Sequence, residues 1–226
     1  MQVESKRLAA VEAVKEIKDG MVVGLGTGST AYYAIVEIGR RVAEGLRIRA
    51  VATSVQSEEL AVSLHIPIVP FAEVETIDVT IDGADEADGA LHLIKGGGGA
   101  LLREKIVAAS SKRLIIVADA SKTVVRLGRF PLPVEVVPFA HELTLRKLAA
   151  LGCEPVIRQK DGTQFRTDNG NLIVDCHFGA IHDVEGLGLS LHGIPGVVEH
   201  GLFIGMADKL IVGHEDGSIR VLTSTR

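Results

Sequence analysis

Tryptophan is absent, and aromatic residues make up only 4% of the 226 positions. A chain so poor in rings offers few platforms on which single-stranded nucleic acid can stack its bases. A basic excess is missing too. The net charge is −5 and no run of Lys or Arg stands out, which argues against a nucleic-acid partner of any kind. An anionic ligand would have to be met by local cations, for which Lys6, Lys95 and Lys122 are candidates. Cysteine is scarce: Cys153 and Cys176 form no C-x-x-C pair and imply no disulfide framework, so a reducing cytoplasm is the expected compartment. No long apolar run is present. The longest charge-free stretch, residues 20–36, is interrupted by Gly, Ser and Thr and reads as a strand and a loop rather than a membrane span. The opening Met-Gln-Val-Glu-Ser-Lys-Arg puts acid and base where a signal peptide needs an apolar core, so none is expected. Metal-ligand spacing is lacking as well. The eight histidines are scattered, His141-Glu142 has no second His at i+4, and His177 and His182 lack carboxylate company.

What is present is an ordinary globular composition, 46% hydrophobic and 23% charged. It is centred on the stretch from Asp82 to Lys105. That stretch holds Asp82, Asp85, Glu86 and Asp88, then Lys95, then four successive glycines, Gly96 to Gly99, then the start of a helical pattern with Glu104. A glycine run costs backbone entropy. It suits a loop whose N–H groups approach a ligand closely and feed a helix N-terminus, where anions are favoured. A second glycine turn, Gly24-Leu25-Gly26-Thr27-Gly28-Ser29-Thr30, nearly matches a dinucleotide fingerprint. It fails because position 29 is Ser and no acidic residue follows at Ala50-Val51-Ala52-Thr53 to hold a ribose hydroxyl. A strand, a glycine turn, hydroxyl residues and a helix start remain, which suits a single phosphate or a plain βα turn.

Along the chain, Leu8, Val11, Val14 and Ile17 form an i, i+3 stripe that predicts an amphipathic helix over 4–18. Strands are predicted at 21–25, 48–53, 66–71, 77–81 and 114–118, with helices at about 30–45, 54–64 and 101–110 between them. That alternation predicts a Rossmann-like parallel sheet with helices on both faces. Ligands on such sheets bind at the carboxyl ends of the strands, where Thr27 to Thr30, Asp82 to Asp85 and Ser121-Lys122 all fall. Phe130-Pro131-Leu132-Pro133 marks a boundary. Beyond it, strands at 134–138, 154–159, 172–176 and 197–203 with helices at 141–151 and 182–192 spell βαββαβ, a ferredoxin-like α+β unit. A last hairpin, 209–212 and 218–222, is placed to return to the first sheet. The expected domains are 1–129 with 206–226, and 130–205.

The chemistry these residues allow is acid–base. Glu104, near a helix start, can take a proton from carbon if an enediolate is stabilised by Lys95, the glycine-loop N–H groups and the helix N-terminus. Asp82 or Asp85 can move protons between oxygens. The same acidic cluster could instead hold Mg²⁺, and Glu104 alone could be a plain surface residue.

Residues 24–30, 82–86, 95–105 and Ala118-Asp119-Ala120-Ser121-Lys122 together resemble ribose-5-phosphate isomerase, type A, as do 130–136, 167–171 and 194–198. The resemblance runs over nearly the whole chain in order. It implies interconversion of ribose 5-phosphate and ribulose 5-phosphate with neither metal nor cofactor, by a homo-oligomer, a homodimer or homotetramer; the composition adds the expectation of a cytoplasmic protein that binds no nucleic acid and no membrane. It implies that Glu104 is the base and that Asp82, Asp85 and Lys95 assist ring opening and enediolate stabilisation. Thr27, Gly28, Ser29, Thr30, Lys6 and Lys122 would hold the substrate, chiefly its phosphate. Gly83, Ala84, Gly96, Gly97 and Gly98 would line the rest. The first domain would be catalytic and the second a lid or oligomerisation element. One departure is Gly99, which stands where the family commonly has Ala; a slightly looser loop is expected. Rival readings are an aminosugar-phosphate deaminase, a coenzyme A transferase, or a sugar-phosphate sensor. No histidine-based ring-opening dyad, coenzyme A signature or helix-turn-helix segment favours them.

Overall fold

The computed structural model describes residues 2–225. In chain order its elements are α1 (Gln2–Val14), β1 (Val22–Leu25), α2 (Ser29–Ala43), β2 (Arg49–Ala52), α3 (Val55–Ser63), β3 (Val79–Gly83), β4 (Glu86–Ala87), β5 (Leu93–Ile94), α4 (Leu101–Ala109) and β6 (Leu114–Asp119). After these come β7 (Leu132–Val136), α5 (His141–Ala149), β8 (Glu154–Ile157), β9 (Gln159–Lys160), β10 (Thr163–Gln164) and β11 (Leu172–His177). The chain ends through α6 (Val184–His192), β12 (Val197–His200), β13 (Leu202–Phe203), β14 (Lys209–Gly213) and β15 (Ile219–Thr223).

Two compact units result. The first takes the chain as far as Ala84, then Arg103–Thr123, then Met206 onward; the second takes Asp85–Leu102 and Val124–Gly205. These bounds differ from 1–129 with 206–226 and 130–205 chiefly in that the acidic turn and the glycine run, Asp85–Leu102, belong with the second unit.

The first unit is a six-stranded sheet in the order β15-β14-β6-β3-β1-β2. Its pairs are parallel except for the β14–β15 hairpin, which returns to the sheet as expected. Strand residues alternate between two apolar layers. Val23 and Leu25 of β1 join a core with Ala9, Ala13, Ala34, Ile35 and Ile38 of α1 and α2. Val22 faces the other way, toward Val51 and Val107, the latter on α4. Helices therefore cover both faces.

Two sequence expectations change here. The buried face of α1 is Ser5, Ala9, Ala10, Ala13 and Val14, while Leu8 and Val11 are half-buried. Small residues let α1 pack on α2, β6 and β14, and alanine hardly registers in a pattern dominated by larger side chains. The predicted strand at 66–71 shrinks to a single parallel bridge, Ile68 to Ala50. Pro67 and Pro70 lack the N–H groups that a ladder requires.

The second unit is built on an antiparallel sheet, β12-β7-β11-β8, which is the ferredoxin-like order. Its core gathers Leu132, Val134, Val136, Leu148, Leu172, Val174, Cys176 and Leu191. The strand expected over 197–203 breaks after His200, and Leu202–Phe203 pairs instead with β5, beside β4. Among the described residues no helix is long and apolar enough to cross a membrane.

Candidate active site

In the first unit, the loop after β1 leads into α2. Its first N–H groups have no carbonyl one turn back to accept from them. Gly28 stands at the N-cap with φ 105 and gives no side-chain cap. The Ser29 hydroxyl accepts from Lys6 Nζ at 3.0 Å, and Lys6 in turn lies 4.0 Å from buried Asp119. Thr30 is buried. The Thr27 hydroxyl is engaged within the protein, at 2.7 Å from Thr53 Oγ1, 2.8 Å from Ser54 Oγ and 3.2 Å from Ser57 Oγ. It fixes the loop rather than projecting from it.

Asp82, the fourth residue of β3, is 1% exposed. Its Oδ1 accepts from the N–H of Thr27 at 3.0 Å and of Gly83 at 2.7 Å. This explains one glycine. A Cβ on Gly26 would stand 2.2 Å from Asp82 Oδ1 and 2.5 Å from its Cα, so any side chain there would push the carboxylate off the Thr27 amide. Glu104 lies in the first turn of α4 and is 4% exposed. Lys122 closes a 3₁₀ turn, Ala120–Lys122, at the carboxyl end of β6. Its N-cap, Asp119, accepts from Ser121 N at 2.9 Å.

In the second unit, the Asp85 carboxylate accepts from Gly97 N at 2.7 Å and so pins the glycine run. Gly97 and Gly98 are exposed, and Gly96 is buried. Lys95 is 2% exposed, with its ammonium 5.3 Å from the centroid of the Phe203 ring. The backbone at Lys95 is tied to Gly201 O at 2.9 Å. Gly83 and Ala84, half-buried, connect the two halves of the acidic stretch along the chain.

Two residues escaped the sequence reading. Arg158 Nη1 donates to the carbonyls of Gly96 at 2.8 Å and Gly97 at 3.1 Å, while its Nε donates to Asp175 Oδ2 at 2.9 Å. Phe165 packs on Gly99, where a Cβ would lie 2.3 Å from ring carbon Cε1 and where φ is +79. The looser loop expected at Gly99 is therefore not found: the ring occupies the space a methyl group would take. An Arg and a Phe some sixty residues from a glycine run leave no local signal.

The acidic cluster also divides. Glu86 is 1% exposed, and its carboxylate accepts from Gly128 N and Phe130 N, both at 2.7 Å. Asp88 Oδ1 accepts from Ala90 N and His92 N, both at 2.9 Å, closing a turn. Glu86 Oε1 also lies 3.9 Å from Arg129 Nε. Among the described residues, the one group with metal-ligand proximity is His192, Glu199 and His200, whose ligand atoms lie within 4.8 Å of one another. There His200 Nδ1 accepts from Leu202 N at 3.2 Å. That bond puts the ring proton on Nε2 in the neutral imidazole, which removes the lone pair a metal would need at Nε2.

The comparisons with known proteins agree with this architecture. Residues 49–217 match the family model for ribose 5-phosphate isomerase A (phosphoriboisomerase A). A ribose-5-phosphate isomerase A from Sphingopyxis alaskensis is 52% identical over 214 residues, covering 95% of this chain and 94% of its own length. The solved ribose 5-phosphate isomerase A of Methanocaldococcus jannaschii superposes with a TM-score of 0.93 at 42% identity, over 99% of this chain and all of the other. A solved D-ribose-5-phosphate isomerase in complex with phospho-erythronic acid gives 0.94 at 40% identity, over 97% of this chain and 98% of its own. The chain belongs to the ribose 5-phosphate isomerase A family.

Proposed function

We propose that Glu104 is the base with which this aldose–ketose isomerase interconverts ribose 5-phosphate and ribulose 5-phosphate. The Glu104 carboxylate takes the proton from C2 of the open-chain aldose, and an enediolate forms. The same carboxyl returns a proton to C1, giving the ketose. Lys95 and the N–H groups of Gly96 to Gly98 stabilise the enediolate oxygens. Asp82 and Asp85 move protons during ring opening and between the two oxygens, with Gly83 and Ala84 contributing backbone. The phosphate sits on the α2 N-terminus, held by Gly28 N–H, Ser29, Thr30, Lys6 and Lys122, on a loop that Thr27 keeps in shape.

The observation that carries this reading is burial. Asp82, Lys95 and Glu104 are each at most 4% exposed, and ionisable groups held out of water are concentrated at functional sites as well as in structural networks. The phospho-erythronic acid bound by the relative is an acid analogue of a phosphorylated sugar, which supports a phosphosugar ligand here. We place the enzyme in the cytoplasm as a homodimer or homotetramer, which light scattering on the purified protein measures.

The test is Glu104→Gln, assayed for ribulose 5-phosphate formation with a metal chelator present. Gln keeps size and hydrogen-bonding reach but cannot accept the C2 proton. General-base catalysis is worth about 10² to 10⁴ in rate, so kcat falls by at least about 10² while substrate binding changes far less. A folded variant that keeps most of its activity removes Glu104 from the role.

A further inference from the structure

The chain's two cysteines come together in the second unit. Strands β8 and β11 are neighbours, and their register sets Cys176 opposite Pro155. Cys153 precedes Pro155 by two positions, so its side chain leaves the sheet on the same face as Cys176. Cys176 lies inside the apolar core and Cys153 packs at its border. Cys176 Sγ has a backbone acceptor of its own, Val174 O at 4.0 Å. The isomerase chemistry uses neither.

We infer that Cys153 and Cys176 form a thiol-modification site, in which half-buried Cys153 reacts with low-molecular-weight disulfides and buried Cys176 resolves the adduct. The asymmetry is built into the fold: Cys153 is half-buried, and Cys176 is 0% exposed. The electrostatics run the same way. Contact with Cys176 holds the Cys153 thiol below its ordinary value, and the same contact, together with burial, pushes Cys176 up. The thiolate is the nucleophile in exchange, so Cys153 is the attacking group. As a neutral thiol it donates to Leu148 O at 3.3 Å, a bond that deprotonation releases.

The chemistry balances in two exchanges. The Cys153 thiolate attacks one sulfur of a small disulfide, whose S–S bond breaks, and one small thiol leaves after taking up a proton. Cys176 then gives up its proton and attacks the Cys153 sulfur, releasing the second small thiol. The protein pair loses two electrons and two protons, and the small disulfide gains them. A disulfide bond of about 2.05 Å requires the sulfurs to close further. Cys153 lies just outside β8, which begins at Glu154, so it can shift without breaking a strand pair.

The experiment incubates the native full-length protein with oxidised glutathione, quenches it in acid, and follows thiol titration, intact mass and a non-reducing peptide map. The expected wild-type result is loss of both thiols, a mass lower by two hydrogen atoms with no adduct, and a Cys153–Cys176 linked peptide. Cys176→Ala is expected to stop at one glutathione adduct on Cys153. Cys153→Ser is expected to leave Cys176 unmodified as long as the chain is folded. The inference is overturned if folded wild type retains both thiols, if it halts at a Cys153 adduct, or if Cys153→Ser reacts as fast as wild type. Should Cys176→Ala fail to fold, the wild-type mass and peptide map decide alone.

Discussion

Replacing Arg158 with Met tests whether the glycine run is held from outside. Arg158 bridges Asp175 and the carbonyls of Gly96 and Gly97, with side chains only 15% and 18% exposed for Arg158 and Asp175. Met keeps the aliphatic length and removes every donor. Taking one partner from a buried ion pair costs about 3–5 kcal/mol. The residual exposure at this pair places the loss near the lower end, about 3 kcal/mol. In a chain of this size each kcal/mol moves Tm by about 2–4 °C, so a drop of about 6–12 °C is expected in a thermal melt. Activity should fall as well. The freed loop lets the Gly96 to Gly98 amides drift, and misplacement by about 1 Å can cost about 10² in rate. Asp175→Asn separates the two effects. It weakens the ion pair but leaves both carbonyl bonds, so it should lower Tm while sparing kcat far more than Arg158→Met does. If Arg158→Met melts with the wild type and keeps its kcat, or if Asp175→Asn is equally inactive, the loop is not held in the way described.

Three further outcomes follow from the same geometry. Gly99→Ala should lower both stability and activity, because the new methyl group meets the Phe165 ring at 2.3 Å on a backbone with positive φ; Gly99→Ala with Phe165→Leu should recover part of the loss in a melt and an isomerase assay. Unphosphorylated ribose should be a very poor substrate by kcat/KM, since binding at the remote phosphate holds the reacting carbons in place; comparable efficiency on both sugars would remove the phosphate assignment of Lys6, Ser29, Thr30 and Lys122. The Lys112 ammonium and the Val22 N–H hold Asp78 below the usual aspartate value. A depressed folded pKa contributes stability above about pH 4, and the contribution is lost as pH falls through the folded value. Asp78→Asn should therefore narrow its stability gap from wild type as denaturant melts are moved from pH 6 towards pH 3, and an unchanged gap would contradict the linkage.

Much of the fold was legible because its signals are local. Strand–helix alternation, the Asp216-Gly217 turn of the final hairpin and the βαββαβ order each rest on short windows of sequence, and each has its counterpart in the two sheets. What stayed hidden depends on partners far along the chain. The alanine face of α1 has meaning only against the α2 and β14 it packs on. Residues 66–71 have a strand's apolar character, but Pro67 and Pro70 deny them a ladder.

The acidic stretch shows why residue type alone could not define the site. Asp82, Asp85, Glu86 and Asp88 look interchangeable in sequence. Backbone amides sort them. Glu86 is taken up by the Gly128 and Phe130 amides and Asp88 by its own turn, so both serve architecture. Asp82 and Asp85 instead brace the two glycine loops, through Thr27 N and Gly97 N. A carboxylate that holds a ligand loop by one oxygen stands beside whatever that loop binds. The roles proposed for Asp82 and Asp85 therefore rest on the loop that each one braces, and not on the identity of the substrate. The bracing also means that Asp82→Asn and Asp85→Asn perturb loop geometry together with any proton transfer, so a loss of activity in either variant reports both effects at once.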